Sequence, residues 1–518
     1  MKPVRLFSGF VTVGFWTLAS RVLGFLREIL IAAYIGPGPL LDAFVVAFRL
    51  PNMFRRFFAE GAFNAAFVPQ FSKRLESGED PQGFAQDAFN LLGAAVLALV
   101  GLGMVFMPAL VWATAKGFQG DARFDIAVGF GYIVFPYILC MSLAALFSGV
   151  LNATGRFAAA AAAPVLLNIF ACSAMMLAAW MGGSVVDWLV WTIPVAGLAQ
   201  LALVWRASSR AGISLRPGLP RVTPAMRRLV RVAVPAALAM GVTQINLVVG
   251  QLVASDIENA VSWLFIADRL YQLPLGVIGI AVGIVLLPDL ARRLRSGDDS
   301  GARNALSRAG EFSLLFTLPS AVAFMLVPLP LVSVLYQRGA TGPEDAAAIA
   351  LAVAIYGAGL PAFILQKVLQ PLYFAREDTR SPFAYAVFAM VVNAGLAVGL
   401  KPVVGWISPA IAASTAGWAM VILLWLGTRR MGSAARFDPR FYHCSLRILL
   451  AALVMGAQLV LTVQQFGAFF TLPSWRYLAL LALILSGATT FFIAGYLLKA
   501  FNLAELKTSL RRGKRQSG

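Results

Sequence analysis

Residues 21–69 read RVLGFLREILIAAYIGPGPLLDAFVVAFRLPNMFRRFFAEGAFNAAFVP, apolar enough to enter a bilayer twice. The same stretch carries Arg21, Arg27, Glu28, Asp42, Arg49, Arg55, Arg56 and Glu60. One charged side chain at the centre of a membrane helix costs on the order of 2.5–3.5 kcal/mol even on the lenient insertion scale. Several such charges in two consecutive spans do not face lipid; they line a polar interior shared with other helices. Their cationic excess points to an anionic group as the occupant of that interior.

Composition agrees. Of 518 residues, 60% are hydrophobic and only 13% charged, against roughly 25% charged in a soluble globular chain. The net charge of +19 does not indicate nucleic acid, because Lys and Arg gather in short loops between apolar runs, as topology by positive charge demands. Cys140, Cys172 and Cys444 are far apart and inside or beside apolar runs, so they read as small packing residues and not as a disulfide or metal framework. His443 is the only histidine, which excludes a histidine-based metal site or triad. The short basic start (Lys2, Arg5) is followed by an apolar run that continues past Arg21, Arg27 and Glu28 to Ile35, so it reads as a retained first helix and not a cleaved leader.

Apolar runs of about 20 residues or more predict an all-α integral membrane protein of about fourteen transmembrane helices. Their limits are 10–35, 40–71, 88–112, 126–150, 158–181, 186–206, 229–253, 259–290, 310–336, 345–374, 383–401, 408–428, 446–466 and 474–498. The runs are continuous and not alternating, which excludes a barrel. Alternate loops are rich in cations (Lys73 and Arg74; Arg206 to Arg228; Arg292, Arg293 and Arg295; Arg429 to Arg440), while the opposite loops hold only Lys116, Arg123, Arg338 and Lys401. Both termini, with the tail cations Lys507, Arg511, Arg512, Lys514 and Arg515, are therefore expected in the cytoplasm.

The chain also repeats at a period near 220. FRLPNM at 48–53 lies over DRLYQL at 268–273, VPQFSKRL at 68–75 over LPDLARRL at 287–294, and Gly197, Trp205 and Arg210 over Gly417, Trp425 and Arg430. Six spans per repeat insert in the same sense, predicting two six-helix lobes related by a pseudo-two-fold axis along the membrane normal, with a substrate site between them. The expected domains are 1–218, 219–436 and an appendix, 437–518, holding the last two spans and the basic tail.

The sequence contains no Walker A, GxSxG, HExxH or kinase signature, so nucleotide hydrolysis is not expected and secondary transport is. In the first span Arg21 and Glu28 share a face, with Arg27 roughly 120° round from Arg21. In the second, Asp42, Arg49 and Arg56 repeat at seven, although Pro51 is expected to kink that helix and spoil the phase. Arg56 and Glu60 at i,i+4 also fit a structural ion pair, Arg55 shows no local partner, and Arg269 could equally pair with a carboxylate such as Glu28. Arginine, with its planar fork, binds phosphate oxygens bidentately and stays charged when poorly hydrated.

SRVLGFLRE (20–28), LDAFVVAFRLPNMFRRFFAEGAFNAAFVP (41–69), LNATGRF (151–157) and ADRLYQLPLGVIGIAVGIVLLP (267–288) resemble the MurJ (MviN) family of bacterial lipid II flippases, in the multidrug/oligosaccharidyl-lipid/polysaccharide exporter superfamily. The resemblance runs over essentially the whole chain and implies two lobes alternating between inward- and outward-open states in the inner membrane. A central cavity would take the headgroup and pyrophosphate of lipid II, and the last two spans would guide the polyprenyl tail. Carried over by position, the substrate-binding residues are Arg21, Arg27, Glu28, Arg55 and Arg269, and the outer gate is Asp42 with Ser262 and Glu60. Two departures stand out. Gln272 replaces an acid found in some relatives, and where others ligate sodium this chain offers only polar candidates such as Asn246, Asn393 and Thr415. No cofactor is expected, and coupling to sodium, protons or membrane potential stays open. The expected partners are lipid II, membrane lipids and the cell-wall synthesis machinery, with no nucleic acid. The alternatives are export of another polyprenyl-pyrophosphate-linked oligosaccharide, or a non-transport protein that holds a lipid pyrophosphate. An acid-lined cation exporter is disfavoured by the basic interior.

Overall fold

A computed structural model describes residues 3–55 and 62–500. No strand occurs among the described residues, and the chain is a succession of helices. They are α1 (Pro3–Tyr34), α2 (Pro39–Arg55), α3 (Ala62–Ser77), α4 (Pro81–Val105), α5 (Met107–Thr114), α6 (Ala122–Val134), α7 (Tyr137–Ala153), α8 (Phe157–Met181) and α9 (Val185–Arg210). There follow α10 (Pro224–Ala254), α11 (Ala260–Arg295), α12 (Asp299–Leu326), α13 (Pro328–Tyr336), α14 (Pro343–Phe374), α15 (Arg380–Val404), α16 (Ser408–Thr428), α17 (Pro439–Phe466) and α18 (Arg476–Leu497).

Nine helical stretches among the described residues are long and apolar enough to cross a membrane; one of them, Arg380–Met431, holds both α15 and α16. Their outward faces are greasy, with Trp180, Val105 and Leu497 each more than 70% exposed, as a chain solvated by lipid tails requires. Polar signals set the helix starts. Asp80, Thr223 and Asp438 each accept a backbone N–H of the first turn and precede a proline in it, so the cap satisfies an orphan donor where proline lacks one.

Contacts divide the chain into two compact units, Met1–Phe265 with Arg338–Thr341, and Ile266–Gln337 with Gly342–Gly518. The core of the first is aromatic. Phe63, Phe67 and Phe71, four residues apart on α3, stack at 5.4 Å, and Phe67 also stacks on Phe84 of α4 at 5.6 Å. Spacing by four places these rings on one helical face. The helix α10 packs with this unit, against α3 and α5.

In the second unit, α12, α14, α15 and α16 form the packed body. Small residues let backbones approach there, as expected without a hydrophobic drive between helices in lipid: a Cβ on Gly359 would lie 2.6 Å from Ser414 Oγ. Ser414 donates to the Ile355 carbonyl (2.8 Å), and the Tyr373 hydroxyl to that of Leu424 (2.6 Å). Helix α17 docks on α12 through Ile448, Met455 and Leu459, and α18 packs on α17. That docking is pinned by Asp438, which caps α17 through the Phe441 N–H (2.7 Å) and pairs with Arg308 of α12.

Some expected spans turn out broken. The run 88–112 ends α4 at Phe106 and restarts as α5, 126–150 breaks at Phe135 and Pro136, and 310–336 breaks at Val327. Helix α2 runs through Pro51 to Arg55, and Asn52 Nδ2 donates to the Phe48 carbonyl (2.8 Å). Arg56, Glu60 and the tail cations Lys507, Arg511, Arg512, Lys514 and Arg515 lie outside the described residues.

Candidate functional site

The charged face of α1 is set by how that helix seats on α8. Asn168 Nδ2 of α8 donates to the Ser20 carbonyl (3.0 Å), and Cys172 Sγ approaches that of Leu23 at 3.9 Å. Gly24 sits where a Cβ would meet Asn168 at 3.5 Å. Ser20, Gly24 and Glu28 recur every four residues, so Glu28 continues this seated side and is only 3% exposed. Arg27 flanks it, its Nη2 donating to Glu28 Oε1 at 2.6 Å, with 14% of its side chain still exposed. Arg27 Nε is buried without a hydrogen-bond partner among the described residues. A buried charge pair on an apolar helix costs desolvation that its mutual attraction barely returns, so this pair is kept for something other than packing. Arg21 lies half-buried on the same helix.

Further along, Arg49 donates to the Leu247 carbonyl (3.3 Å), and Arg55 Nε to Asn52 Oδ1 (3.3 Å). Arg55 thus has a partner three residues back, where the sequence reading found none. In the second unit Arg269 is half-buried on α11. Beside it Gln272 donates to Asp268 one turn earlier, and Tyr271 stacks on Tyr356 at 4.8 Å.

The second feature is a carboxylate clasp. Asp42, in the first turn of α2, is fully buried. Its Oδ1 accepts the Ser262 backbone N–H (2.8 Å) and hydroxyl (2.5 Å). Its Oδ2 accepts the Asn259 N–H (3.0 Å) and Arg123 Nη1 (3.3 Å). All four lone-pair sites are used. Because Asn259 (φ 67°) immediately precedes α11, Asp42 caps that helix across space and meets the positive end of its dipole. Asp42 and Ser262, the expected gate pair, are thus brought together; Glu60 is outside the described residues.

Arg123 is the residue that sequence reasoning missed. It counted only as one of four cations on the sparse side, yet it is 4% exposed. Its guanidinium lies over the Phe118 ring (4.5 Å to the centroid), and its Nε donates to Asp121 Oδ2 at 2.6 Å. The Arg123 backbone N–H, then its guanidinium, hold the Asp121 carboxyl below the usual carboxylate range. Nothing in GDARFD at 120–125 distinguishes such a cation from an ordinary loop charge. Neighbouring bonds extend the clasp: Ser255 Oγ accepts the Gly117 N–H (3.0 Å), and Gln251 Nε2 donates to the Thr114 carbonyl (3.2 Å). At the end of α1, Ala340 N–H donates to the Ala33 carbonyl (2.9 Å) and the Thr341 hydroxyl to that of Ala32 (2.6 Å).

The three sodium candidates lie on three different helices. Asn393 is 6% exposed on α15 and Asn246 half-buried on α10, but Thr415 lies on the exposed face of α16. Among the described residues, no group of three or more His, Cys, Asp or Glu is placed to hold a metal ion.

Two cavities lie elsewhere among the described residues. One, of about 260 Å³, is apolar and lies among α12, α17 and α18, walled by Leu315, Phe316, Leu459, Leu483 and Phe491. The other, of about 510 Å³, lies at the ends of α3 and α10 and is walled by Lys73, Arg74, Glu79 and Arg228.

Comparisons with known proteins give the family and the fold. The family described as lipid II flippase MurJ matches residues 31–483. A probable lipid II flippase MurJ of Rhizobium tropici is 42% identical over 98% of this chain and 97% of that relative. The lipid II flippase MurJ of Burkholderia cenocepacia is 34% identical over 88% of this chain and 89% of its own. Among solved structures, a lipid II flippase MurJ in an inward closed conformation superposes with a TM-score of 0.79 at 24% identity, covering 94% of this chain and 98% of that one. A multidrug-resistance MATE family transporter of the MOP superfamily reaches 0.67 at 13% identity, covering 80% of this chain and 95% of that one, which shows a shared fold. The chain belongs to the MurJ lipid II flippase family.

Proposed function

We infer that this protein flips lipid II from the cytoplasmic to the outer leaflet of the bacterial inner membrane by alternating access, without enzymatic chemistry. The observation that carries the reading is the Arg27–Glu28 pair at 2.6 Å inside a largely apolar helix. Glu28 holds the guanidinium in place, and the nitrogens that Glu28 does not occupy are donors for pyrophosphate oxygens. Arg21, Arg55 and Arg269 are the further cations proposed for substrate binding, because an anion that leaves water needs several.

In this reading the chain crosses the membrane fourteen times. The crossings are the nine apolar stretches, one of them counted twice, together with α1, the α2–α3 segment, α10 and α11. Both termini are cytoplasmic, and the lobes of the transport cycle follow the sequence repeat, 1–218 and 219–436. Asp42 and Ser262 stand 220 residues apart, the repeat period, so they are equivalent positions of the two halves, and their bond is the outer gate. Residues 437–518 form the appendix, and the apolar cavity beside α17 and α18 receives the polyprenyl tail. Membrane potential, protons or sodium energise the cycle, and enzymes that make or consume lipid II are its protein partners.

The test is complementation of a flippase-depleted strain, scored by lipid II exposed on the outer leaflet. Arg27→Ala and Arg269→Ala are expected to abolish exposure while folded protein stays in the membrane. Full exposure with both variants would overturn the cavity assignment.

A further inference from the structure

Closing the clasp takes a carboxylate fully out of water. Asp42 is 0% exposed, and an ionised carboxylate leaves solvent only where its charge is compensated. The end of α11 provides part of that compensation and Arg123 the rest. Arg123, however, is divided. Its Nε is 2.6 Å from Asp121, and its Nη1 is 3.3 Å from Asp42. The two acceptors differ in setting, because the Asp121 side chain is 40% exposed and that of Asp42 is not exposed at all. Asp121 also caps α6, on which Arg123 sits two residues later, so this competing pair is local to one helix turn.

We propose that Arg123 is a positioning residue for the gate: its division between Asp121 and Asp42 sets how firmly the clasp closes. It touches the gate carboxylate and not the transported lipid. Removing the guanidinium strands a buried charge and loosens the clasp. Removing the competing charge at Asp121 turns the guanidinium wholly toward Asp42 and tightens it. Two substitutions two residues apart therefore act in opposite directions. A merely structural role at the start of α6 would make both loosen the clasp. Asn keeps the capping capacity of Asp at that position, so Asp121→Asn isolates the charge. The proposal rests on reading the clasp as the outer gate, but its test uses no lipid II, so failure of one is distinguishable from failure of the other.

The experiment is hydrogen exchange on the full-length protein in nanodiscs, read at the amides of Asn259 and Ser262, which donate to Asp42. Arg123→Gln is expected to speed their exchange about tenfold, by a shift in the closed-to-open ratio. Asp121→Asn is expected to slow it about threefold, and Arg123→Lys to stay near native. In an Asp42→Asn background, Arg123→Gln should add little, because the charge it serves is gone. Should Arg123→Gln fail to fold, Asp121→Asn, an exposed change, decides alone. Faster exchange in Asp121→Asn, or no change in either variant, overturns the proposal.

Discussion

Replacing Arg27 by lysine separates charge from shape at the centre of the proposed binding site. Lysine keeps the positive charge and can keep an ion pair with Glu28, which is 3% exposed and so depends on one. It cannot reproduce the planar fork. In the structure Glu28 engages Nη2 at 2.6 Å, and Nε is buried without a hydrogen-bond partner among the described residues. A phosphate that docks against the remaining nitrogens gains at least one charge-assisted hydrogen bond, worth roughly 1.5–3 kcal/mol. An ammonium committed to Glu28 offers no second donor in a fixed plane. Arg27→Lys is thus expected to weaken lipid II binding by about tenfold to about 150-fold, at about 1.4 kcal/mol per decade. Titration of purified protein with lipid II, followed by native mass spectrometry, measures it, and Arg27→Gln provides the charge-free comparison. Binding by Arg27→Lys within about threefold of native, with Arg27→Gln severely weakened, would mean that charge alone matters and would refute the bidentate argument.

Other expectations follow from the packing. Gly36 sits at φ 66°, and a Cβ there would lie 2.5 Å from the Ala340 carbonyl oxygen. Gly36→Ala should displace residues 338–341 and cost about 3 kcal/mol, from roughly 1–2 for the left-handed backbone and roughly 1 per lost hydrogen bond; unchanged exchange at the Ala340 amide would contradict this. Asp438→Ala loses both the α17 cap and the Arg308 pair, whereas Asp438→Asn loses only the charge. The two should differ by about 1 kcal/mol in the unfolding free energy of the α17 N-terminus, and equal protection from exchange there would refute the capping role. Phe67→Ala empties the centre of the aromatic stack and should destabilise the first unit by about 3–5 kcal/mol; an unchanged thermal unfolding midpoint would show that the stack contributes little.

Apolar run length was enough to read the helices, because a lipid-solvated helix must be greasy for its full span. The breaks at Phe106, Pro136 and Val327 each have a proline at hand (Pro108, Pro136, Pro328), but helices that run through Pro51, Pro164 and Pro361 show that proline alone does not tell a break from a continuous span. Mid-span charge marked Arg21, Arg27, Glu28, Asp42 and Arg269 as costly and therefore purposeful, and the family resemblance added Ser262. The Arg55–Asn52 bond was readable in principle from its i,i+3 spacing. Arg123 was not: its partner Asp42 lies 81 residues away, and a buried counterion and a solvated loop cation look alike in sequence.

The most direct measurement of the central idea reads lipid II exposed on the outer leaflet of flippase-depleted cells expressing Arg27→Ala, Arg269→Ala or the native chain at equal membrane levels. The account predicts that native protein restores exposure and that neither variant does. Full restoration by both variants would contradict it, because the membrane-embedded arginines would then have no part in carrying the pyrophosphate.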